Sequence, residues 1–383
     1  MAEIRSQKIT AGDRKAYLVP WFQLKHTQGV GLVWFRRLVE HFGGPEKVLG
    51  AGEKQIIEAG FPPRIAKSVA KSRLSGPAKE ELDSAAKNPR FSVTTQHDPD
   101  YPPLLRHIAD PPPYLYVYGE LAPTEKCVAV VGSRNATRYG LSATRRICKD
   151  LARAGVVVVS GMARGIDTAA HEGALAGGGK TWAVFGCGLE TIYPPENKGL
   201  YHEIVDKGGA VVSEFALAEP PKASNFPVRN RVISGICKAT VVVEATAKSG
   251  SLITAGQALE QGRELFAVPG SINSFKSAGT HALLKQGAAL ADSARDILDF
   301  LAASFTDMER LPLEKKEPPP AGEITQDEAA VLEVLGPYPV HIDILARRLA
   351  MDAGKLAGLL LTLELKGLVV QEPGKLFSRG RLI

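Results

Sequence analysis

Gly132-Ser133-Arg134 follows directly on Val128-Ala129-Val130-Val131, and residue types in that order can hold an anion. An apolar strand that opens onto a helix through glycine and serine leaves the helix's first backbone N–H groups unpaired, at the positive end of its dipole. Arg134 adds a planar, bidentate donor suited to phosphate. Two more turns repeat the pattern. Ser160-Gly161-Met162-Ala163-Arg164-Gly165-Ile166-Asp167 couples glycines to a second arginine. Lys248-Ser249-Gly250-Ser251-Leu252-Ile253-Thr254 sets serines where they can cap a helix whose N–H groups face a phosphate. The segment Asn225-Phe226-Pro227-Val228-Arg229-Asn230-Arg231 places one aromatic ring among two arginines and two asparagines. A base stacks on such a ring without its sequence being read, while arginines hold the backbone. The alternative is that Phe226 packs in the core and the arginines form ion pairs. With Arg134, Arg138 and Arg164 expected at the same sheet edge, the single-stranded nucleic-acid reading is preferred.

Other chemistries fit these residues less well. The first turn lacks the second and third glycines of G-x-G-x-x-G, and the second strand ends in Ser160-Gly161 where a ribose-binding acid would stand. NAD is therefore not expected. The 248–254 turn lacks the spacing of a Walker A loop, so no nucleoside triphosphatase chemistry follows from it. Asp167 and His171, four residues apart, read either as an acid–base pair or as a helix cap with a hydrogen-bonded histidine, and the second is preferred. Cys187 sits between two glycines and reads as a small turn residue rather than a nucleophile. The four cysteines (Cys127, Cys148, Cys187, Cys237) form no C-x-x-C pair and have no histidine cluster, which points away from a metal site and towards a reducing, cytoplasmic compartment.

The elements that must position these turns follow from patterning. In 383 residues, 44% hydrophobic and 23% charged with a net charge of +6, two or three domains are expected. The mild basic excess permits a polyanionic partner without demanding one. No apolar run approaches the ~20 residues that span a bilayer, so no membrane association is expected. Residues 17–88 read as helical, with Gly43-Gly44-Pro45 as a stop and His26-Thr27-Gln28-Gly29-Val30-Gly31 as a helix-hairpin-helix-like turn or a plain helical hairpin. Short apolar runs at 128–131, 156–159, 181–185, 210–213, 240–243 and 265–268 alternate with helical stretches such as 139–154. Strands apolar throughout imply a parallel sheet covered on both faces. The expected fold class is α/β, a Rossmann-like doubly wound, mostly parallel sheet. A small N-terminal helical domain of sterile-alpha-motif or helix-hairpin-helix type (1–97) precedes the core (98–310). A Pro-rich linker (311–322) then leads to a winged helix (323–383), read from three helices and a hairpin around Glu372-Pro373-Gly374. Residues 323–383 carry seven Lys or Arg against eight acids, and the expected recognition helix is largely aliphatic. Such a module is at least as suited to protein as to DNA.

The motifs at 128–134, 160–167, 186–188, 225–231 and 248–254 resemble the bacterial DprA (DNA-processing protein A, Smf) family. So do Tyr193-Pro194-Pro195-Glu196-Asn197 and Val268-Pro269-Gly270-Ser271, all in the family's order across about 170 residues. The resemblance implies a non-enzymatic protein that binds single-stranded DNA, loads the RecA recombinase onto it during natural transformation, and forms a homodimer through the Rossmann-like domain. It places the DNA contact at Arg134, Phe226, Arg229 and Arg231, with Lys248 or Arg263 adding charge, and implies no cofactor. Gly132, Ser133, Arg138, Gly161, Arg164, Gly165, Asn225, Asn230, Ser249, Gly250 and Ser251 complete the expected phosphate-binding set. The competing reading is a nucleotide phosphoribohydrolase using Glu244 or Glu214, although its P-G-G-x-G-T turn is missing.

Overall fold

The structure is a computed structural model that describes residues 11–304, 324–336 and 338–379. The Pro-rich segment expected at 311–322 lies outside the described residues. Contacts divide the chain into two compact units on either side of the boundary between Glu309 and Arg310.

The first unit begins with six helices: α1 (Ala11–Lys25), α2 (Leu32–Phe42), α3 (Pro45–Gly50), α4 (Glu53–Glu58), α5 (Pro63–Ala70) and α6 (Gly76–Lys87). The expected stop is real. Helix α2 ends at Gly43, whose φ of 81° is the left-handed conformation that glycine adopts at little cost. There follow β1 (Ser92–Thr95), β2 (Tyr114–Gly119), β3 (Cys127–Val131), α7 (Arg138–Arg153), β4 (Val157–Ser160), α8 (Ile166–Ala176), β5 (Thr181–Val184), α9 (Lys198–Asp206) and β6 (Ala210–Ser213). The unit continues through α10 (Asn225–Ile236), β7 (Ala239–Val242), α11 (Gly250–Glu260), β8 (Glu264–Ala267), α12 (Ala278–Lys285), β9 (Ala289–Leu290) and α13 (Ala294–Ser304).

All nine strands form one sheet in the order β1-β2-β6-β5-β4-β3-β7-β8-β9. From β6 to β9 every pairing is parallel, while β2 pairs antiparallel with both β1 and β6. The six strands expected from apolar runs are β3 to β8, to which β9 adds a seventh parallel strand, and β3 to β7 are buried along their whole length. Strand order reverses between β3 and β7, the place where a doubly wound sheet opens a crevice at its carboxyl edge.

An apolar cluster runs from Trp21 and Phe22 of α1 through Phe35 of α2 to Tyr114, Tyr116, Phe185 and Tyr201, so the helices and this face of the sheet share buried side chains. Phe22 stacks on Tyr114 with ring centroids 4.3 Å apart. At its edge Glu81 of α6 accepts hydrogen bonds from Tyr116 (2.6 Å) and Tyr114 (3.0 Å) and pairs with Lys25 (3.3 Å) and His26 (2.7 Å) of and after α1. Burial alone would raise the Glu81 carboxyl, but His26, Lys25 and Tyr116 hold it down at about 2.

The second unit contains α14 (Gln326–Val334), β10 (Val340–His341), α15 (Ile342–Leu349), α16 (Ala353–Leu365), β11 (Val369–Glu372) and β12 (Leu376–Arg379). Its three-stranded sheet has the order β10-β12-β11, which gives a winged helix. Leu356, Leu360 and Leu363 of α16 are buried against Val331, Leu345 and Phe377, whereas Leu361 (58%) and Leu365 (82%) stand exposed on its outer face. Among the described residues, no helix is long and apolar enough to cross a membrane.

Candidate nucleic-acid interface

The three glycine turns meet at the carboxyl edge of the parallel strands. A cleft of about 720 Å³ there is lined by Gly132, Ser133 and Arg134 from the turn after β3, Asp167 of α8, Phe226 and Asn230 of α10, and Ser249, Gly250 and Ser251 at the start of α11. A second cleft of about 260 Å³ shares Arg134, Tyr193, Phe226 and Arg229 with the first and adds Gly161, Arg164, Gly186 and Cys187. Phe226 thus lines both clefts. The Arg134 guanidinium carbon lies 5.3 Å from its ring centroid, and the Tyr193 ring 5.7 Å away. Gly186 makes the ring's position possible, because a Cβ there would come within 2.7 Å of the Phe226 ring.

Glycines also keep the turns in register. A side chain at Gly165 would strike the carbonyls of Ser133 and Arg134, so the loops after β3 and β4 touch through backbone alone. The Ile166 N–H donates to the Ser133 carbonyl at 3.1 Å. At Gly161 a Cβ would lie 2.7 Å from the Arg229 guanidinium and 2.8 Å from the Asp167 carboxylate.

The first turn is not the open anion seat that its sequence suggests. Glu244, just beyond β7 at the strand-order reversal, is buried and has the left-handed φ of 62°. Its carboxylate accepts from the Thr137 N–H (2.8 Å) and the Thr137 hydroxyl, and its carbonyl accepts from the Ser133 N–H (2.8 Å). Gly140 clears the space it fills. The positive end of α7 thus already holds a negative charge from the chain itself. Glu244→Gln keeps the volume and removes that charge. It is expected to lower unfolding free energy by about 1–3 kcal/mol in a denaturant titration, and an unchanged midpoint would remove Glu244 from this role.

The arginines of the 225–231 segment part company. Arg229 is 3% exposed and donates to the Gly161 carbonyl (2.8 Å) and the Val184 carbonyl, closing the ends of β4 and β5. Burial pulls its guanidinium down to about 10, which leaves it charged at neutral pH. Arg231 is buried between Glu214 (2.5 Å) and Asp110 (3.0 Å). Arg263 donates to the carbonyls of Leu104 and Gly235. These three groups serve the fold, and Arg231 and Arg263 line neither cleft. A signal was present: Val232, Ile233 and Ile236 mark the second half of α10 as core-facing, and Arg229 and Arg231 stand directly before it. Arg134, Arg138, Arg164 and Lys248 are exposed, and Arg164 is paired with Glu196. Arg138, at the first turn of α7, lies outside both clefts. Asn225 is half-buried, with an amide nitrogen that has no partner among the described residues.

The proposed catalytic groups are likewise committed to structure. His171 is fully buried with Nδ1 2.7 Å from the Thr181 hydroxyl, and burial pushes it down to about 3. Asp167 accepts from the Ala163 N–H at 3.2 Å, and burial pushes its carboxyl up. Glu214 is the ion-pair partner of Arg231. All four cysteines are free and buried, and the described residues contain no cluster of His, Cys, Asp or Glu suited to a metal.

A mostly parallel sheet with an arginine–aromatic cleft at its carboxyl edge, followed by a winged helix, defines a class of DNA-processing proteins. Residues 92–302 match the DNA recombination-mediator protein A family, and residues 315–375 match the DprA winged helix domain. Protein Smf of Synechocystis is 34% identical over 402 residues, spanning 96% of this chain and all of that one. The DNA processing protein DprA of Streptococcus pneumoniae is 44% identical over 213 residues, covering 55% of this chain and 74% of its own. The X-ray structure of DprA from Streptococcus pneumoniae superposes with a TM-score of 0.58 at 34% identity, over 76% of this chain and 98% of that one. DNA processing protein A from Helicobacter pylori, described for its unique single-stranded DNA binding mode, gives 0.51 at 30% identity, over 56% and 97%. The chain belongs to the DprA/Smf family.

Proposed function

We propose that this protein binds single-stranded DNA along the clefts lined by Phe226, and delivers it to a RecA-type recombinase in the cytoplasm as a homodimer, without a cofactor and without catalysing a reaction. One observation carries the reading: a half-buried aromatic ring lines two clefts, with the exposed Arg134 beside it. A flat ring accepts any base, and Arg134 and Arg164, which line the clefts, offer charge to the backbone, while Lys248 lies outside both. The description of its family as recombination mediators supports the recombinase step. The described relative from Helicobacter pylori supports single-stranded DNA as the ligand. For the second copy, the exposed Ile272 (88%) and Phe275 (72%) of the Rossmann-like unit line one shallow cleft with His281 and are the surface we assign.

The test uses a labelled oligothymidylate, a recombinase and sedimentation. The protein is expected to bind the oligonucleotide with an affinity that falls steeply with salt, to sediment as a dimer, and to shorten the lag of recombinase assembly on DNA coated with single-strand-binding protein. Release of a free base from nucleoside monophosphates, abolished by Glu244→Ala, would overturn the reading in favour of a phosphoribohydrolase.

A further inference from the structure

The helical part of the first unit carries a second charged surface, remote in sequence from the cleft and unused by it. Between Glu58 and Glu80 the chain has no acidic residue and carries Arg64, Lys67, Lys71, Arg73 and Lys79. Arg64 and Lys67 lie on α5 and Lys71 closes it, at spacings of three and four residues that put all three on one face. All three are exposed, and none has an ion-pair or hydrogen-bond partner among the described residues. The opposite face of α5 is its packed side, with Ile65, Ala66 and Val69 buried. The turn between α1 and α2 reaches this helix: Gly29, exposed and at φ 81°, would place a Cβ 3.9 Å from Ile65 Cδ1. The turn therefore meets the packed side of α5 and leaves the cationic face open.

We propose that this face, formed by Arg64, Lys67 and Lys71, binds the phosphate backbone of duplex DNA. From Arg64 to Lys71 the helix advances roughly 10 Å. A DNA strand advances about 3.4 Å per phosphate, so the three cations span about three phosphate-to-phosphate steps of one strand. Single-stranded DNA needs a platform for its bases, and this face has none, because Phe61 beside it is buried and Arg37 covers the Trp34 ring at 4.9 Å. A duplex shields its own bases and presents phosphate alone, which is what unpaired cations without an aromatic can hold. The proposal does not rest on the single-stranded DNA reading. It adds a separate grip for the double-stranded part of a tailed DNA.

The test compares the full-length protein with a triple variant, Arg64→Glu, Lys67→Glu and Lys71→Glu, and a milder triple glutamine variant. Each is titrated with a blunt 30-base-pair duplex and with oligothymidylate at several salt concentrations. The glutamate variant is expected to lose at least tenfold in duplex affinity at low salt, and the glutamine variant to lower the logarithmic salt slope by roughly 3. Oligothymidylate affinity should stay within twofold, and Phe226→Ala should show the reverse pattern. Duplex binding equal to wild type in both triple variants, or no duplex binding by the wild type, would overturn the proposal. A parallel loss of oligothymidylate binding would also overturn it, by making the face part of a single-strand track.

Discussion

Phe226→Ala should weaken oligothymidylate binding by roughly 5- to 150-fold, the equivalent of the ~1–3 kcal/mol that one base–aromatic stack contributes. The loss is expected at every salt concentration, because stacking is not a charge interaction. Arg134→Ala should behave differently. It removes one phosphate contact, so the logarithmic salt slope should fall by about 0.7 and the deficit should be largest in dilute salt. The double variant is expected to lose less than the sum, since the guanidinium 5.3 Å from the ring also holds the ring in place. Fluorescence anisotropy with the two single variants and the double variant decides this. If Phe226→Ala binds like wild type while remaining folded, the ring is packing material and the cleft is not a base platform.

Glu81→Ala should destabilise the first unit by about 3–5 kcal/mol, the usual cost of removing one partner from a buried charged cluster. Its carboxylate gathers Lys25, His26, Tyr114 and Tyr116, and so joins α1 and α6 to β2. The variant leaves Lys25, His26 and two phenols without their acceptor. Urea titration followed by tryptophan fluorescence reads the effect, since Trp21 lies in the same cluster. The effect also has a pH signature. The carboxyl titrates near 2 in the folded protein against an ordinary 4.5, so the folded state holds fewer protons between those values. Its contribution is complete above about pH 4.5 and is lost as the pH falls towards 2. Glu81→Gln should flatten the stability profile in that window. A loss below 1 kcal/mol would place Glu81 among ordinary surface pairs.

The parallel sheet was legible because strands covered on both faces must be apolar at every position, and Cys127–Val131 and Ala239–Val242 are. Strands β1 and β2 were missed for a physical reason. They flank a stretch carrying Pro99, Pro102, Pro103 and Pro111–Pro113, which reads as a boundary, yet they close the sheet antiparallel through Ser92 to Val117 and Tyr116 to Ser213. The ring, the glycine turns and Arg134 were found from residue types alone. Composition could not distribute the arginines. Arg134 and Arg231 are chemically the same, and only Glu214 and Asp110 beside Arg231 separate an internal clamp from a surface contact. Glu244 was noticed as an acid near a strand end, but its role depends on a left-handed backbone that local sequence does not announce.

That residue has a consequence for how the protein can be governed. In many doubly wound proteins the seat at the first helix is filled by a diffusible phosphate, so their behaviour follows the supply of nucleotide. Here the occupant is tethered by its own peptide bonds and has no off-rate. The negative charge at the start of α7 is therefore supplied by the chain itself rather than by a bound nucleotide. Under the proposed function, occupancy of the neighbouring cleft is then expected to answer to DNA concentration and ionic strength, with no nucleotide input at this position.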